Sequence, residues 1–444
     1  MPLSVGFIGP LPPTRSGIAD YDAEILSSLS KNSFLSVSSY EPADAAAALK
    51  AKHDVLLVQI GNDPLHAPSV EALFATERRT PAVVVLHEFV LHHLFAAAYL
   101  TRSRPEDYAR ELERAHGARG KAFASTWRDG SLVPVWDLDP WLYPMSAGVI
   151  RAAEAVVAHS ALVTGAILGE CPGTRVLTIP QHVAPAPRTP PLEAREALGF
   201  PRDRPAGITL GIVSPAKRIG KILEALATLE PGRRPFLFIG GAVAEDDPLR
   251  STVRESGLDG DVKFGGYLSE QDLWRAASAA TFAVNLRHPT MGETSHAVCR
   301  LAGFGLPLVV SDTGWFRELP DSFADRIPIG GDEVPRLASA MERLAFEPDR
   351  ARERGRSASA WAVPRRPERI ADAYRAVLEE AAGGWSRPRG TASRVAESLA
   401  GLGVGRRGMH GATSRLPDGT LLAEVAARAV GILPRVPESE NDFA

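Results

Sequence analysis

Residues 3–26 read LSVGFIGPLPPTRSGIADYDAEIL: an apolar run, a loop rich in proline and glycine, and an amphipathic run. The first run predicts a strand, and the apolar positions at Ile18, Tyr21, Ile25 and Leu29 predict a helix that begins near Ile18. The loop between them therefore follows the carboxyl end of a strand, where open α/β sheets bind their ligands. This order of strand, loop and helix is the unit from which the fold is predicted.

The loop carries residues suited to an anion. Ser16 can cap the helix, and Gly17 removes a side chain at the point where a ligand would approach free backbone N–H groups. We therefore predict that Gly17 lies beside a phosphate group. The alternative is that proline and glycine only shape a tight connection, because the loop has no Gly-x-Gly-x-x-Gly fingerprint.

The same unit recurs along the chain. Apolar runs without strict alternation, separated by helices, are typical of parallel strands that are buried on both faces of a sheet. The helix at 105–117 is among the clearest, with Pro105 in its first turn and Gly117 as its stop. The predicted strands form two series, at 3–9, 54–61, 82–88, 155–160 and 175–180, and at 207–213, 235–241, 261–267, 280–286 and 306–312.

Between the two series, residues 183–207 are rich in proline, arginine and alanine, which indicates a linker. We predict an N-terminal α/β domain over 1–195 and a second α/β domain from 196 to 362. Residues 384–444 have the composition of a partly disordered extension.

Composition excludes several classes of protein. The 444 residues have a formal net charge of -3 and two cysteines, so neither a nucleic-acid partner nor a disulfide scaffold is expected. No signal-peptide pattern opens the chain, and no apolar run approaches the ~20 residues of a membrane span, so we expect a cytoplasmic protein. A basic run could hold it peripherally at an anionic membrane, but interleaved glutamates favour a solvated face: Arg102, Arg104, Arg110, Arg114, Arg119, Lys121 and Arg128.

The segment LHEFVLHHL at 86–94 resembles a metal motif at first sight. In the metalloprotease pattern two histidines lie four residues apart, whereas His87 and His92 are five apart, so no metal is predicted here. His87 follows a predicted strand, a position that favours a catalytic or sugar-contacting role in a cleft. The alternative is a structural histidine.

The second domain offers two further anion sites. Lys217 and Arg218 follow a predicted strand and suit a diphosphate, whose leaving-group charge they would stabilise. Thr294 and Ser295 lie at a predicted helix N-terminus, another position for an anion. Glu293 can accept hydrogen bonds from sugar hydroxyls, although it could instead be a first-turn partner of the helix dipole.

Taken together, these motifs resemble the family-4 retaining glycosyltransferases of the GT-B fold, in which two Rossmann-like domains face each other across a cleft. GPLPPTRSGIADY (9–21) resembles the N-terminal glycine loop of bacterial members that act in surface polysaccharide biosynthesis. The resemblance places Gly17 near the donor diphosphate, His87 near the donor sugar, and Lys217 at the lysine of the Arg-x4-Lys-Gly element. It also implies that residues 363–383 cross back to the N-terminal domain.

The chain departs from that pattern in two places. Ile212 stands where the family has the arginine of the Arg-x4-Lys-Gly element, so Arg218 is expected to take over its contact. In the Glu-x7-Glu motif, Gly292 and Arg300 occupy the glutamate positions, and Glu293 follows one place later. The resemblance places Arg300 and Tyr267 near the ribose and the nucleotide.

The resemblance implies a hexosyltransferase-like enzyme that moves a sugar from a nucleoside diphosphate sugar to a glycan or lipid-linked acceptor, with retention. No Asp-x-Asp motif stands in the expected place, so neither a metal nor another cofactor is predicted. Two alternatives remain: another GT-B enzyme, a sugar-nucleotide epimerase or a sugar phosphorylase, or a catalytically degenerate protein that only binds nucleotide or partners.

Overall fold

The structure is a computed structural model that describes residues 1–75, 80–128 and 139–384. These residues form two parallel sheets of six strands each, flanked by helices. The strand order is β2-β1-β3-β4-β5-β6 in the first sheet and β12-β11-β10-β7-β8-β9 in the second. The predicted α/β class with two doubly wound domains is confirmed.

The central strands of the first sheet are apolar runs that are buried on both faces. Every residue of β3 and β4 is buried, as expected for central strands of a parallel sheet. Its strands are β1 Leu3–Ile8, β2 Leu35–Tyr40, β3 Val55–Ile60, β4 Ala82–Leu86, β5 Ala155–Ala158 and β6 Val176–Thr178.

The helices of the first domain connect these strands. They are α1 Gly17–Ser30, α2 Ala45–Lys50, α3 Ala67–Phe74, α4 His92–Leu100, α5 Pro105–Arg128, α6 Ala147–Ala152 and α7 Ala161–Glu170. The predicted stop at Gly117 is a kink inside α5, where φ is 60° and the helical dihedrals are interrupted. Ser16 caps α1, since its side chain accepts a hydrogen bond from the N–H of Ile18 at 3.2 Å.

The second sheet comprises β7 Ala206–Leu210, β8 Phe236–Gly240, β9 Val262–Gly266, β10 Phe282–Asn285, β11 Leu308–Ser311 and β12 Ala324–Ile327. Its helices are α8 Pro191–Leu198, α9 Ile219–Thr228, α10 Pro248–Glu255, α11 Glu270–Ala279, α12 His296–Phe304, α13 Glu333–Phe346 and α14 Pro348–Ala362. Ala194 of α8 belongs to the core of this sheet, so α8 lies with the second domain.

The last described helix, α15 Pro367–Ala382, returns to the first sheet. Ile370, Tyr374 and Leu378 are fully buried in a core shared with strands β1, β3 and β4 and helix α1. The hydroxyl groups of Tyr374 and Tyr21 lie 2.8 Å apart. The described chain therefore crosses between the domains twice, once after β6 and once before α15.

All ten predicted strands are present, but β2 and β12 were not predicted. Both lie at an edge of their sheet, as the predicted strands β6 and β9 also do, but polar residues interrupt their sequences LSVSSY and ADRI, so neither forms a continuous apolar run. The predicted extension lies outside the described residues from 385 onward. Among the residues that are described, no helix combines the length and the apolar character needed to cross a membrane.

Candidate functional site at the interdomain cleft

The topology itself indicates where a ligand would bind. In each sheet the chain starts in the middle, builds outward to one edge, and then continues on the other side of its first strand. This change of direction falls between β1 and β3 in the first sheet and between β7 and β10 in the second. Ligands of open α/β sheets bind beyond the carboxyl ends of the strands at such switch points. We call the space between these two edges the cleft.

On the first domain, the cleft is bordered by the loop that follows β1. Gly17 is the exposed first residue of α1, and a Cβ atom added there would meet no described atom within 4 Å. The protein itself therefore does not require glycine at this position. The N–H of Ile18 is already bonded to the Ser16 hydroxyl, so an anion at the start of α1 would use other N–H groups of the first turn.

His87 follows β4 and is only 5% exposed. Its Nε2 lies 2.9 Å from Oε1 of Gln59, a buried residue of β3. The His87 ring packs edge-on against Tyr21 and lies 5.0 Å from the ring of His159. Burial, together with the neighbouring histidines, holds the pKa of His87 well below its usual range, so the ring is neutral at pH 7.

The neighbours of His87 in the sequence take other positions. His92 is fully buried, with Nδ1 2.7 Å from the carbonyl of Tyr143 and Nε2 2.5 Å from the hydroxyl of Tyr108. His93 is exposed. The three histidines of this segment therefore lie in different environments.

On the second domain, Lys217 follows β7 and is 8% exposed. Burial is the main reason that its pKa falls to about 7; Arg287 lowers it further, and Glu293 opposes the shift. Gly211, with φ of 112°, lies beside the ammonium group, since an added Cβ would be 3.4 Å from Nζ. Lys217 is therefore a poorly solvated cation at the β7 side of the switch point, as suits an anion contact.

Glu293 is held by three neighbours. Its carboxylate lies 2.9 Å from Nε of Arg287, and it accepts hydrogen bonds from the N–H of Met291 at 2.6 Å and the hydroxyl of Thr290 at 2.9 Å. Burial and the charge of Glu293 raise the pKa of Glu88 to about 8, so a neutral carboxyl group lies close to the Glu293 carboxylate. Glu88 belongs to the first domain and Glu293 to the second, so the two carboxyl groups form one site between the domains.

Thr294 and Ser295 precede α12 and are both buried. The hydroxyl of Ser295 accepts a hydrogen bond from the N–H of Val298, so it caps the helix. The Thr294 hydroxyl has no hydrogen-bond partner among the described residues. The first N–H groups of α12 lack acceptors within the helix, as at every helix N-terminus, and can receive an anion.

The loop that holds Glu293 is fastened to the first domain. Nε1 of Trp141 donates a hydrogen bond to the carbonyl of Thr290 at 2.7 Å, and the N–H of Val90 donates to the carbonyl of Met291 at 3.0 Å. Gly292 has φ of 85°, and a Cβ there would come within 3.0 Å of Cβ of Phe89. Only glycine allows this approach of the two domains without strain.

Arg218 is placed differently from Lys217. It has φ of 52°, and its guanidinium forms a two-point ion pair with Glu333, with Nε 2.9 Å from Oε1 and Nη2 against Oε2. Glu333 is 2% exposed. The side chain that the sequence analysis assigns to the diphosphate thus already neutralises a buried carboxylate.

The two residues expected near the nucleotide also contact neighbours. Arg300 lies 2.7 Å from Oε1 of Glu270 and over the ring of Trp274. Tyr267 is exposed, and the guanidinium of Arg15 lies 4.6 Å from the centre of its ring. Because Arg15 belongs to the loop after β1, this contact spans the cleft.

The basic run of the first domain is largely paired with acidic residues. Arg104 and Arg110 both contact Asp107, while Arg114 contacts Glu111 at 2.9 Å. Lys121 lies 3.3 Å from Glu113. These pairs agree with the solvated-face interpretation.

Sequence reasoning missed several residues of the site. No sequence motif marks Arg287 or Trp141, although Arg287 directly follows a predicted strand. Gln59 lies inside a strand and gives no signal without its partner His87. Glu24, His182 and His296 are far apart in the chain and meet only in the folded protein.

Comparisons with known proteins agree with the architecture. No family model matches the sequence, and neither does any curated protein. Among solved structures, HepE from Anabaena in complex with UDP and glucose covers 85% of this chain and 100% of its own at 15% identity, with a TM-score of 0.59. Sucrose-phosphate synthase from Thermosynechococcus elongatus covers 85% and 98% at 16% identity, with a TM-score of 0.63. A glycosyltransferase from Rickettsia africae covers 86% and 99% at 12% identity, with a TM-score of 0.58.

The chain has the GT-B fold. At these identities the likeness concerns the arrangement of two α/β domains around the cleft. The GT-B fold predicted from the sequence is confirmed.

Proposed function

We propose that the protein is a family-4 type glycosyltransferase that transfers a sugar, most simply a hexose, from a nucleoside diphosphate sugar to a glycan or lipid-linked acceptor. One observation carries the proposal. Lys217, a buried cation, and the Arg287–Glu293 ion pair lie together at the β7/β10 switch point, opposite the loop and histidine of the first domain. A donor bound there would touch both domains.

In this proposal the diphosphate lies between the N-terminus of α1 and that of α12. Gly17, Thr294 and Ser295 would offer backbone N–H groups, and Lys217 would supply a positive charge in its protonated form. As the bond from the anomeric carbon to the diphosphate oxygen breaks, negative charge grows on that oxygen. Lys217, poorly solvated before the reaction, stabilises this charge more strongly than a hydrated lysine would.

Glu293 and His87 would position the transferred sugar. The Glu293 carboxylate is fixed by Arg287, Thr290 and Met291, and can accept hydrogen bonds from sugar hydroxyls. His87 is neutral and its Nε2 is bonded to Gln59, so its Nδ1 can accept a hydrogen bond from a sugar hydroxyl without adding charge. Retention would follow from attack of the acceptor on the face that the diphosphate leaves, with a phosphate oxygen receiving the proton of the acceptor hydroxyl.

The nucleotide would extend toward β9 and α12. Tyr267 offers an exposed ring, and Arg300 stands at the position of the family's second glutamate. Arg300 is paired with Glu270 and offers no carboxylate of its own. The ribose would therefore be recognised by groups near Arg300 and not by a carboxylate at this position. The same pair is the observation that keeps the degenerate, binding-only alternative open.

The proposed reaction needs no divalent cation, because Lys217 and two helix N-termini supply the positive potential at the diphosphate. We further propose a role in polysaccharide biosynthesis in the cytoplasm, with peripheral contact where the acceptor is lipid-linked. The structural neighbour HepE was solved in complex with UDP-glucose, so UDP and UDP-glucose are the first donor probes.

The test is a thermal-shift panel of nucleoside diphosphates and their sugars, followed by turnover. A ligand that binds only the folded state raises the midpoint of unfolding. We expect at least one diphosphate sugar to raise it, and the nucleoside diphosphate to appear faster when an acceptor is added. A product anomer that matches the donor supports retention. Donor binding without turnover in any acceptor supports the binding-only alternative, and formation of a new sugar nucleotide without acceptor supports an epimerase.

A further inference from the structure

Three side chains from three separate segments converge where the domains meet. Glu24 lies on α1, His182 lies in the crossover after β6, and His296 is the first residue of α12. Their ligating atoms all lie within 4.8 Å of one another. Nε2 of His182 is 2.9 Å from Oε2 of Glu24, and Nε2 of His296 is 3.9 Å from Oε1 of the same carboxylate.

These histidines are buried and incompletely satisfied. His182 is 0% exposed and His296 is 9% exposed. Within the described ranges, neither ring nitrogen of His296 has a hydrogen-bond partner, and Nδ1 of His182 has none. Buried polar atoms without partners are rare in folded proteins and call for a specific explanation.

The surrounding charges favour a cation. Asp20 lies within electrostatic reach of Glu24, Glu270 and the guanidinium of Arg300. Arg300 Nη2 is 2.7 Å from Glu270 and 4.0 Å from Glu24, so this arginine has its own closer carboxylate. Three carboxylates against one guanidinium leave two negative charges in the group, which a divalent cation would balance.

We propose that Glu24, His182 and His296 bind Zn²⁺, which clamps α1 of the first domain to α12 of the second. Two imidazoles and a carboxylate suit zinc, whereas Mg²⁺ and Ca²⁺ prefer oxygen ligands. Tetrahedral zinc places its ligand atoms about 3.3 Å apart, so small side-chain rotations would complete the set, with water as the fourth ligand. The proton that His182 shares with Glu24 moves to Nδ1 or to solvent when zinc takes Nε2.

His296 adjoins Thr294 and Ser295 at the start of α12, so the inference is tested by metal binding and stability, which do not require the proposed transfer of a sugar. The alternative is that the three side chains bind no metal ion. In that case, Glu24 and the two histidines form only a hydrogen-bonded contact between the domains.

The experiment uses the full chain, stripped with a chelator and titrated with Co²⁺ as a coloured substitute for zinc. We expect one equivalent to bind with the visible absorption of a four-coordinate site, and Zn²⁺ to displace it. His296→Ala and Glu24→Gln are each expected to weaken binding by at least about tenfold. His93→Ala removes an exposed histidine of α4 and serves as the matched control, with binding unchanged.

A second measurement, the midpoint of thermal unfolding, tests whether zinc clamps the domains and requires no substrate. Zn²⁺ should raise the midpoint of thermal unfolding of the wild-type chain and of His93→Ala, but not of His296→Ala. The proposal is overturned if no metal binds stoichiometrically at micromolar concentration, or if binding survives unchanged in both His296→Ala and Glu24→Gln. Neither result depends on whether the protein transfers a sugar.

Discussion

Nε2 of His87 lies 2.9 Å from Oε1 of Gln59, so a buried amide on β3 fixes the orientation of the ring that follows β4. An amide oxygen accepts, so this contact places the ring proton on Nε2 of His87 and leaves Nδ1 as the acceptor. Two adjacent strands thereby determine one side chain of the cleft. The relationship makes Gln59 a positioning residue for the proposed transfer.

Gln59→Leu should therefore impair transfer through His87. The leucine cannot hold the ring, and the buried Nε2 loses its partner, at a cost of about 1–3 kcal/mol. We expect kcat to fall about tenfold or more, with a smaller change in the KM of the donor, measured by release of nucleoside diphosphate. Ser69→Ala, which changes a buried hydroxyl without a hydrogen-bond partner in the described chain, is the control. Equal losses in both variants would contradict the positioning role.

Lys217 should make donor binding depend on pH. Its pKa in the folded protein is about 7, so the lysine is charged below pH 7 and must take up a proton to bind the diphosphate above it. The Kd of UDP-glucose, which has no terminal phosphate to titrate, should be flat below pH 7. Above pH 7 it should rise by up to about tenfold per pH unit. Lys217→Met should bind weakly with no such slope, whereas Lys221→Met, at an exposed pair with Glu224, should resemble wild type.

The same residue should influence stability. Because the pKa of Lys217 is lowered from 10.5 to about 7, the unfolded chain binds more protons between these values. The contribution of Lys217 to the free energy of unfolding should then rise from pH 7 to 10.5, and Lys217→Met should remove that rise. A matching slope in the Lys217→Met variant would show that the lysine is solvated.

Variants of Arg218 and Glu333 can distinguish a structural role of Arg218 from a role in binding the donor. Arg218→Met leaves a buried carboxylate without its partner, which should lower the free energy of unfolding by about 3–5 kcal/mol in urea. Combining it with Glu333→Leu should restore most of that loss, since a buried ion pair can be replaced by apolar side chains. If the double variant binds the donor as well as wild type does, the predicted contact of Arg218 with the diphosphate is wrong.

Trp141→Phe should loosen the loop that holds Glu293. Phenylalanine keeps the stacking on Phe89 but loses the hydrogen bond to the carbonyl of Thr290, worth about 1 kcal/mol. We expect a rise of about fivefold in the KM of the donor, measured by initial rates. Trp361→Phe, on α14, is the control and should leave the KM unchanged. A similar KM for both variants would indicate that the contact does not position the loop.

Catalysis should proceed without Mg²⁺. Lys217 and the helix N-termini are expected to supply the positive potential, so protein treated with a chelator should transfer sugar at the same rate with or without added Mg²⁺. Mg²⁺ prefers oxygen ligands and does not replace zinc at histidines, so this comparison is separate from the proposed clamp. Stimulation of several fold by Mg²⁺ would show that the diphosphate requires a metal.

The interior of the fold was predictable because burial constrains composition. Strands β3 and β4 are buried on both faces and form nearly unbroken apolar runs, whereas the edge strands β2 and β12 contain solvated polar residues and were not predicted. Capping by Ser16 and the kink at Gly117 follow from local backbone chemistry, which a short segment carries by itself.

The sequence by itself determined the two series of strands and the loops that follow them, because hydrophobic periodicity and turn residues act over a few neighbouring positions. Tertiary structure alone decided the partners of the charged groups. Arg218 pairs with Glu333, 115 positions away in the chain, and His182 contacts Glu24, 158 positions away. Such pairs form where distant elements pack, and the low solvation there, rather than any local pattern, sets the pKa of Lys217 and His87.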